Sequence, residues 1–178
     1  MRRDRSLQKV IHHLLEDDGR FPNNPALPLV IQVGAFPVEN NNRVDPAAME
    51  SIFQAHRWRS SWRNGLYPMH HYHSTAHEVL GIFRGSVRAQ FGGEKGPVLN
   101  ASAGDVIIIP AGVAHKNISS SQDFRVVGAY PIGQSWDMNY GKPEERPQAD
   151  KNILEVSLPA LDPVLGEDGP LSELWHLV

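Results

Sequence analysis

Cysteine is absent from the 178-residue chain. That excludes disulfide staples, thiolate zinc sites and cysteine nucleophiles together, and it fits an intracellular setting. Strong charge of either sign is missing too. The formal net charge is −3 and the pI about 6.3, which leaves no basic footprint for nucleic acid. Nor is there a hydrophobic run of membrane-spanning length. In the N-terminal stretch MRRDRSLQKVIHHLLEDDG, His12, His13 and Glu16 interrupt the apolar positions, so no signal-peptide h-region forms. There is no internal repeat, no phosphate-binding Gly-Lys-Ser/Thr loop and no glycine-flanked serine nucleophile. These absences predict a cytoplasmic, soluble protein without nucleic-acid or membrane partners. The length predicts one domain with a sizeable core.

What is present divides into three stretches. Residues 1–62 read as N-terminal helices plus a first strand. Leu7, Val10, Ile11, Leu14 and Leu15 recur at helical spacing and predict a helix over 5–17. FPNNPALP reads as a connection, and LVIQVGAF as a strand ended by Pro37. Asp45-Pro46 is an N-cap followed by a first-turn proline, so a second helix follows with Met49, Ile52, Phe53 and His56 as its stripe, fading into RWRSSWRNG. Trp58 and Trp62 at that spacing fit core or subunit-interface anchors better than a ligand site.

Residues 63–131 change texture to short apolar runs punctuated by glycine and proline: 66–72, 78–83, 86–91, 98–101, 106–109, 113–118 and 124–130, with GGEKGP as a hairpin tip. Many short strands between turn signals predict an all-β sandwich or barrel. Residues 132–178 open on a polar, proline-rich stretch that is predicted to wrap the barrel or meet a partner subunit.

The chemistry concentrates in GLYPMHHYHSTAHEVLGIFRG, residues 65–85. His71 and His73 are two apart, so in an extended strand their imidazoles share a face. A turn through Ser74 to His77 returns Glu78 beside them. His115, after the Pro110-Ala111-Gly112 turn, is the candidate fourth ligand. Three nitrogens and one carboxylate suit a divalent transition metal with positions left open. His70 should face away from this set. His77 fits a supporting or surface position better than a ligand, and it does not open a zincin motif, because the required second histidine is Gly81.

These residues resemble the two motifs of the cupin superfamily. Gly65, His71, His73, Glu78 and Gly85 match the first motif, and Gly104, Pro110, Gly112 and His115 match the second, with Ser119 where the pattern ends in asparagine. FPNNPALP, WRNGLYPMHHYHSTAHEVLG, PAGVAHKN, VVGAYPIGQSWDMNYGKPEERP and LSELWHL further resemble the YjlB-like group of bacterial single-cupin proteins. The resemblance implies an RmlC-like jelly-roll β-barrel and one divalent metal per chain (iron, manganese, nickel, cobalt or zinc) held by His71, His73, Glu78 and His115. It also implies a homodimer.

Residues in phase with the ligands are the expected pocket: Tyr67, Met69, Leu80, Ile82, Val113 and Asn117, with Tyr67 as the candidate proton donor. The expectation is a metal-dependent enzyme, of dioxygenase, decarboxylase or isomerase type, acting on a small oxygen-rich metabolite. The alternatives are a non-catalytic binding or sensing module, and a metal-free sugar-nucleotide epimerase, which would need convergent arginines.

Overall fold

The computed structural model describes residues 9–176. Among these residues nine strands carry the fold: β1 (Lys9–Leu15), β2 (Asn24–Val33), β3 (Trp58–Asn64), β4 (Glu78–Arg84), β5 (Ser86–Phe91), β6 (Val98–Ser102), β7 (Val106–Ile109), β8 (His115–Ser120) and β9 (Arg125–Pro131). Helix α1 (Pro46–Ala55) precedes β3, and α2 (Gln148–Glu155) and α3 (Leu171–Leu174) follow β9. One six-stranded sheet runs β1-β2-β7-β4-β9-β3 and a three-stranded sheet runs β6-β5-β8. Their pairings are antiparallel, as a rolled jelly-roll barrel requires.

The apolar runs are unbroken because the larger sheet is buried on both faces. Successive side chains of a strand point to opposite sides. Leu80, Ile82, Ile107 and Ile109 therefore fill the space between the sheets, with Leu29, Ile31 and Phe91. Val79, Phe83, Val106 and Ile108 face outward, where Met49 and Phe53 of α1 and Leu171 and Trp175 near α3 cover them. Each such side chain contributes about 1.5–3 kcal/mol on burial. Asp45 caps α1 by accepting from the Ala47 N–H at 3.0 Å, and Pro46 occupies its first turn. Gly81 lets α1 approach closely, since a Cβ there would collide with the Met49 sulfur.

The structure corrects four local expectations. Residues 9–15 are a strand and not a helix, paired with β2 from Lys9↔Val33 to His13↔Leu29; residues 5–8 of the expected helix lie outside the described residues. The apolar doublets Val10-Ile11 and Leu14-Leu15 satisfy helical spacing. They equally satisfy a strand, in which Val10 joins the outer core while Ile11 and Leu15 join the inner one.

FPNNPALP is not merely a connection, because β2 begins at Asn24. Pro25 and Pro28 fall between the paired positions Leu15↔Asn24 and His13↔Leu29, where the register shifts and their missing N–H groups cost no ladder bond. RWRSSWRNG forms the edge strand β3, with a register shift between Arg59 and Trp62. Residues 66–72 form no continuous strand; only His71 and Tyr72 pair, with His115 and Asn139. The C-terminal stretch contributes core, with Ala149, Ile153, Val164, Leu171 and Trp175 buried.

Candidate metal centre

Two backbone hydrogen bonds hold the His71 stretch against the start of β8: His71 N–H to His115 O (3.2 Å) and His115 N–H to His71 O (3.0 Å). The Gly112 N–H donates to His73 O at 2.7 Å, tying the Pro110–Gly112 turn to the same stretch. Gly112 adopts φ +94°, and a Cβ there would strike the Asn23 carbonyl, so both conformation and space demand glycine. Asn23 in turn accepts from the Ala114 N–H at 3.1 Å and donates to Gly92 O at 3.0 Å. The turn that delivers His115 is thus pinned from two sides.

His71, His73 and His115 are buried, and each offers a ring nitrogen within 4.8 Å of the others. Each Nδ1 faces a main-chain carbonyl: Met69 O for His71 (3.0 Å), Asp137 O for His73, and Val113 O for His115 (3.0 Å). A carbonyl only accepts, so each Nδ1 carries the hydrogen and each neutral ring presents the Nε2 lone pair to the shared space. Glu78, at the start of β4, places its carboxylate 3.3 Å from His73 Nε2 and 3.4 Å from His115 Nε2. His115 Nε2 is fully buried and makes no hydrogen bond. An orphaned nitrogen in such a place is costly unless something occupies it. This donor set fits a divalent transition metal.

The electrostatics agree. Burial, then the neighbouring His115, push the His71 imidazole down to about 3, so it is neutral at physiological pH. Burial alone would raise Glu78, but His73 and His115 hold its carboxyl far below the usual carboxylate range. Burial would lower His73; Glu78 and the Asp137 carbonyl outweigh it and raise its pKa.

His71, His73 and Glu78 open onto a cavity of about 300 Å³. Trp62, Tyr67, Tyr130 and Trp136 are its aromatic lining. The Tyr130 hydroxyl accepts from Trp62 Nε1 at 2.9 Å, its ring stacks on Trp136 with centroids 6.2 Å apart, and burial together with Glu78 raises its pKa. Tyr67 stands at the edge of the cavity, half exposed, with its ring 5.3 Å from that of His71.

Of the six expected pocket residues, only Tyr67 lines this cavity. Leu80, Ile82 and Val113 are packed into the inner core, Met69 borders a different cavity, and Asn117 donates to the Ser120 hydroxyl. Being in phase with a ligand puts a side chain on the barrel interior, and the interior here is mostly filled. His77 is fully buried but apart from the cluster: its Nδ1 accepts from the Ala111 N–H, its ring packs on Trp175, and burial pushes it down to about 4. Sequence reasoning missed Tyr130, Trp136 and Asp137. Tyr130 was within reach, since pairing the 124–130 strand beside the Glu78 strand sets Ala129 against Val79 and brings Tyr130 next to Glu78. Trp136 and Asp137 lie in the polar wrap and carry no local signal.

Rolled antiparallel sheets enclosing three imidazoles and a carboxylate define the class: a jelly-roll β-barrel with a prospective metal centre. Residues 39–130 match the family model described as Cupin. The chain is also 47% identical over 163 residues to the uncharacterized protein YjlB of Bacillus subtilis (strain 168), covering 92% of this chain and 94% of that protein. The chain belongs to the cupin family.

Among solved structures it is similar to procruciferin, the 11S globulin of Brassica napus (19% identity, TM-score 0.38), covering 71% of this chain and 30% of that one. It is similar also to RmlC of Streptococcus suis in complex with dTDP-D-xylose (14% identity, TM-score 0.36), covering 90% of this chain and 88% of that one. Among the described residues no helix is long and apolar enough to cross a membrane.

Proposed function

We propose that the protein is a metal-dependent enzyme acting on a small, oxygen-bearing metabolite with a flat or apolar body. The observation that carries this reading is the set of three Nδ1-anchored imidazoles and Glu78 bordering a cavity walled by Trp62, Tyr67, Tyr130 and Trp136. A divalent ion held there supplies a Lewis acid for chelating hydroxyl, carbonyl or carboxylate oxygens.

The chain's own groups do the rest. Trp136 and Trp62 cover the apolar body of the metabolite and exclude water. The raised pKa of Tyr130 keeps its hydroxyl protonated at neutral pH, so it can donate to an oxygen in the cavity. The epimerase alternative is the weaker reading of this cavity, because among the described residues its wall carries one arginine, Arg63, which is already paired with Glu50 at 2.7 Å. A nucleoside diphosphate calls for several convergent cations.

The test is metal analysis of protein purified without chelator, then anaerobic reconstitution with ferrous iron and oxygen-uptake assays over a panel of hydroxy acids, diketones and phenols. Uptake that depends on His73 and Tyr130 supports the reading. Absence of any divalent ion, with no uptake of iron, manganese, nickel, cobalt or zinc on titration, overturns it.

A further inference from the structure

His70 and Lys116 are the chain neighbours of His71 and His115. Adjacent residues of an extended chain point to opposite sides. The same two stretches that present imidazoles to the metal centre therefore present His70 and Lys116 to a second cavity, of about 540 Å³, behind it. Arg20, Lys142, Glu94 and Tyr140 complete its polar lining.

Three features of this cavity point to a ligand. His70 is only 7% exposed, lines the cavity, and has no hydrogen-bond partner at either ring nitrogen. An aromatic base placed so deeply without a partner needs a reason. Arg20, Lys116 and Lys142 converge on the cavity from the β1–β2 connection, β8 and the C-terminal wrap, three segments far apart in sequence. Arg20 is held in place by stacking on Phe21 and by donating to the carbonyls of Gly141 (3.2 Å) and Tyr140 (3.3 Å).

A carboxylate already sits among these cations. Glu94, at the tip of the β5–β6 hairpin, accepts from Lys116 Nζ at 2.9 Å and lies 3.6 Å from His70 Nε2. Its side chain is 65% exposed, so it can swing out. With Glu94 swung out, three cations remain, enough to balance the double negative charge of a phosphate monoester near neutral pH.

We propose that this second cavity, lined by Arg20, His70, Lys116 and Lys142, binds a phosphate or phosphate-monoester dianion, which takes the place held by the Glu94 carboxylate. The site is distinct from the metal centre and needs no metal.

The test is calorimetric titration of the full chain at pH 8 and fixed ionic strength with inorganic phosphate, glycerol phosphate and acetate in separate arms. The parent protein binds phosphate or glycerol phosphate and not acetate; the stronger of the two arms tells a free ion from an esterified one. Glu94→Gln, which removes the competing charge, binds more tightly than the parent. Lys116→Gln/Lys142→Gln binds at least about tenfold more weakly, having lost charge-assisted hydrogen bonds. Lys142→Gln alone, at an exposed position, moves in the same direction and guards against misfolding of the double variant. His73→Ala, which disables the metal centre, binds as the parent does.

Loss of phosphate binding in His73→Ala with full binding in the lysine variants would place the anion on the metal and overturn the proposal. So would equal affinity for acetate, or no binding by either the parent or Glu94→Gln.

Discussion

His73 donates its Nδ1 hydrogen to the main-chain oxygen of Asp137, a residue 64 positions further along the chain. The Asp137 side chain closes the arrangement by accepting from the Ser74 N–H at 2.6 Å and from the Ser74 hydroxyl. Asn152 of α2 holds the same hydroxyl at 3.0 Å. A candidate ligand is thus oriented by a segment that belongs to neither sequence motif. The segment is pinned again where Tyr72 and Asn139 exchange backbone hydrogen bonds of 2.9 and 3.0 Å.

Asp137→Ala keeps the main-chain oxygen but cuts its anchor to Ser74, and should weaken metal binding by up to about 10- to 100-fold, the cost of a misoriented ligand, while leaving the barrel folded. Competition with a chromogenic chelator measures this, with circular dichroism as the check on fold. Parent-like affinity would mean that packing alone positions His73.

His73→Ala should abolish stoichiometric metal binding, and His70→Ala should leave it unchanged, because the two rings line different cavities. Elemental analysis of the three purified proteins decides the matter. Equal losses in both variants would contradict the geometry.

Tyr130→Phe leaves the Trp62 indole N–H without its acceptor, and should cost about 1–3 kcal/mol in urea unfolding. Tyr67→Phe, at a half-exposed position, should stay within about 0.5 kcal/mol of the parent. A reversed order would mean that Tyr67, and not Tyr130, is the structural phenol of the cavity.

Gly112→Ala combines left-handed strain with collision against the Asn23 carbonyl, and should destabilise by about 2–4 kcal/mol. Because the turn carries His115, metal affinity should fall with it. A variant with parental stability and affinity would show that the turn can relax.

Glu145 offers a pH prediction away from the metal centre. Burial alone would raise its pKa. The Tyr140 N–H at 2.7 Å, the Gly141 N–H at 2.9 Å and the Tyr72 hydroxyl at 2.9 Å outweigh it and hold the carboxyl below its ordinary value. A depressed folded-state pKa means that the ionised group stabilises the fold above the ordinary glutamate pKa of about 4.3, and that this stability disappears as pH falls through the lower folded value. Unfolding midpoints from pH 7 to pH 3 should fall more steeply for the parent than for Glu145→Gln. Parallel curves would refute the assignment.

The shared face of His71 and His73 is local geometry and was legible from the chain alone, as was an all-β sandwich or barrel in the short runs between turn signals. Bringing Glu78 and His115 to those rings takes pairings between distant strands. Alternation places i and i+2 together whatever surrounds them. The walls of the cavity were not legible. Trp62 sits on an edge strand that looked like the tail of a helix, Tyr130 meets Glu78 through the β4–β9 pairing, and Trp136 and Asp137 arrive with a wrap that has no periodicity.

The same limit applies to residues 9–15, where paired apolar doublets satisfy helix and two-faced strand alike until β2 lies alongside. Local sequence sets which way a side chain leaves its own strand. Which distant strand or loop that side chain then meets depends on pairings between residues far apart in the chain, and only the folded molecule decides those.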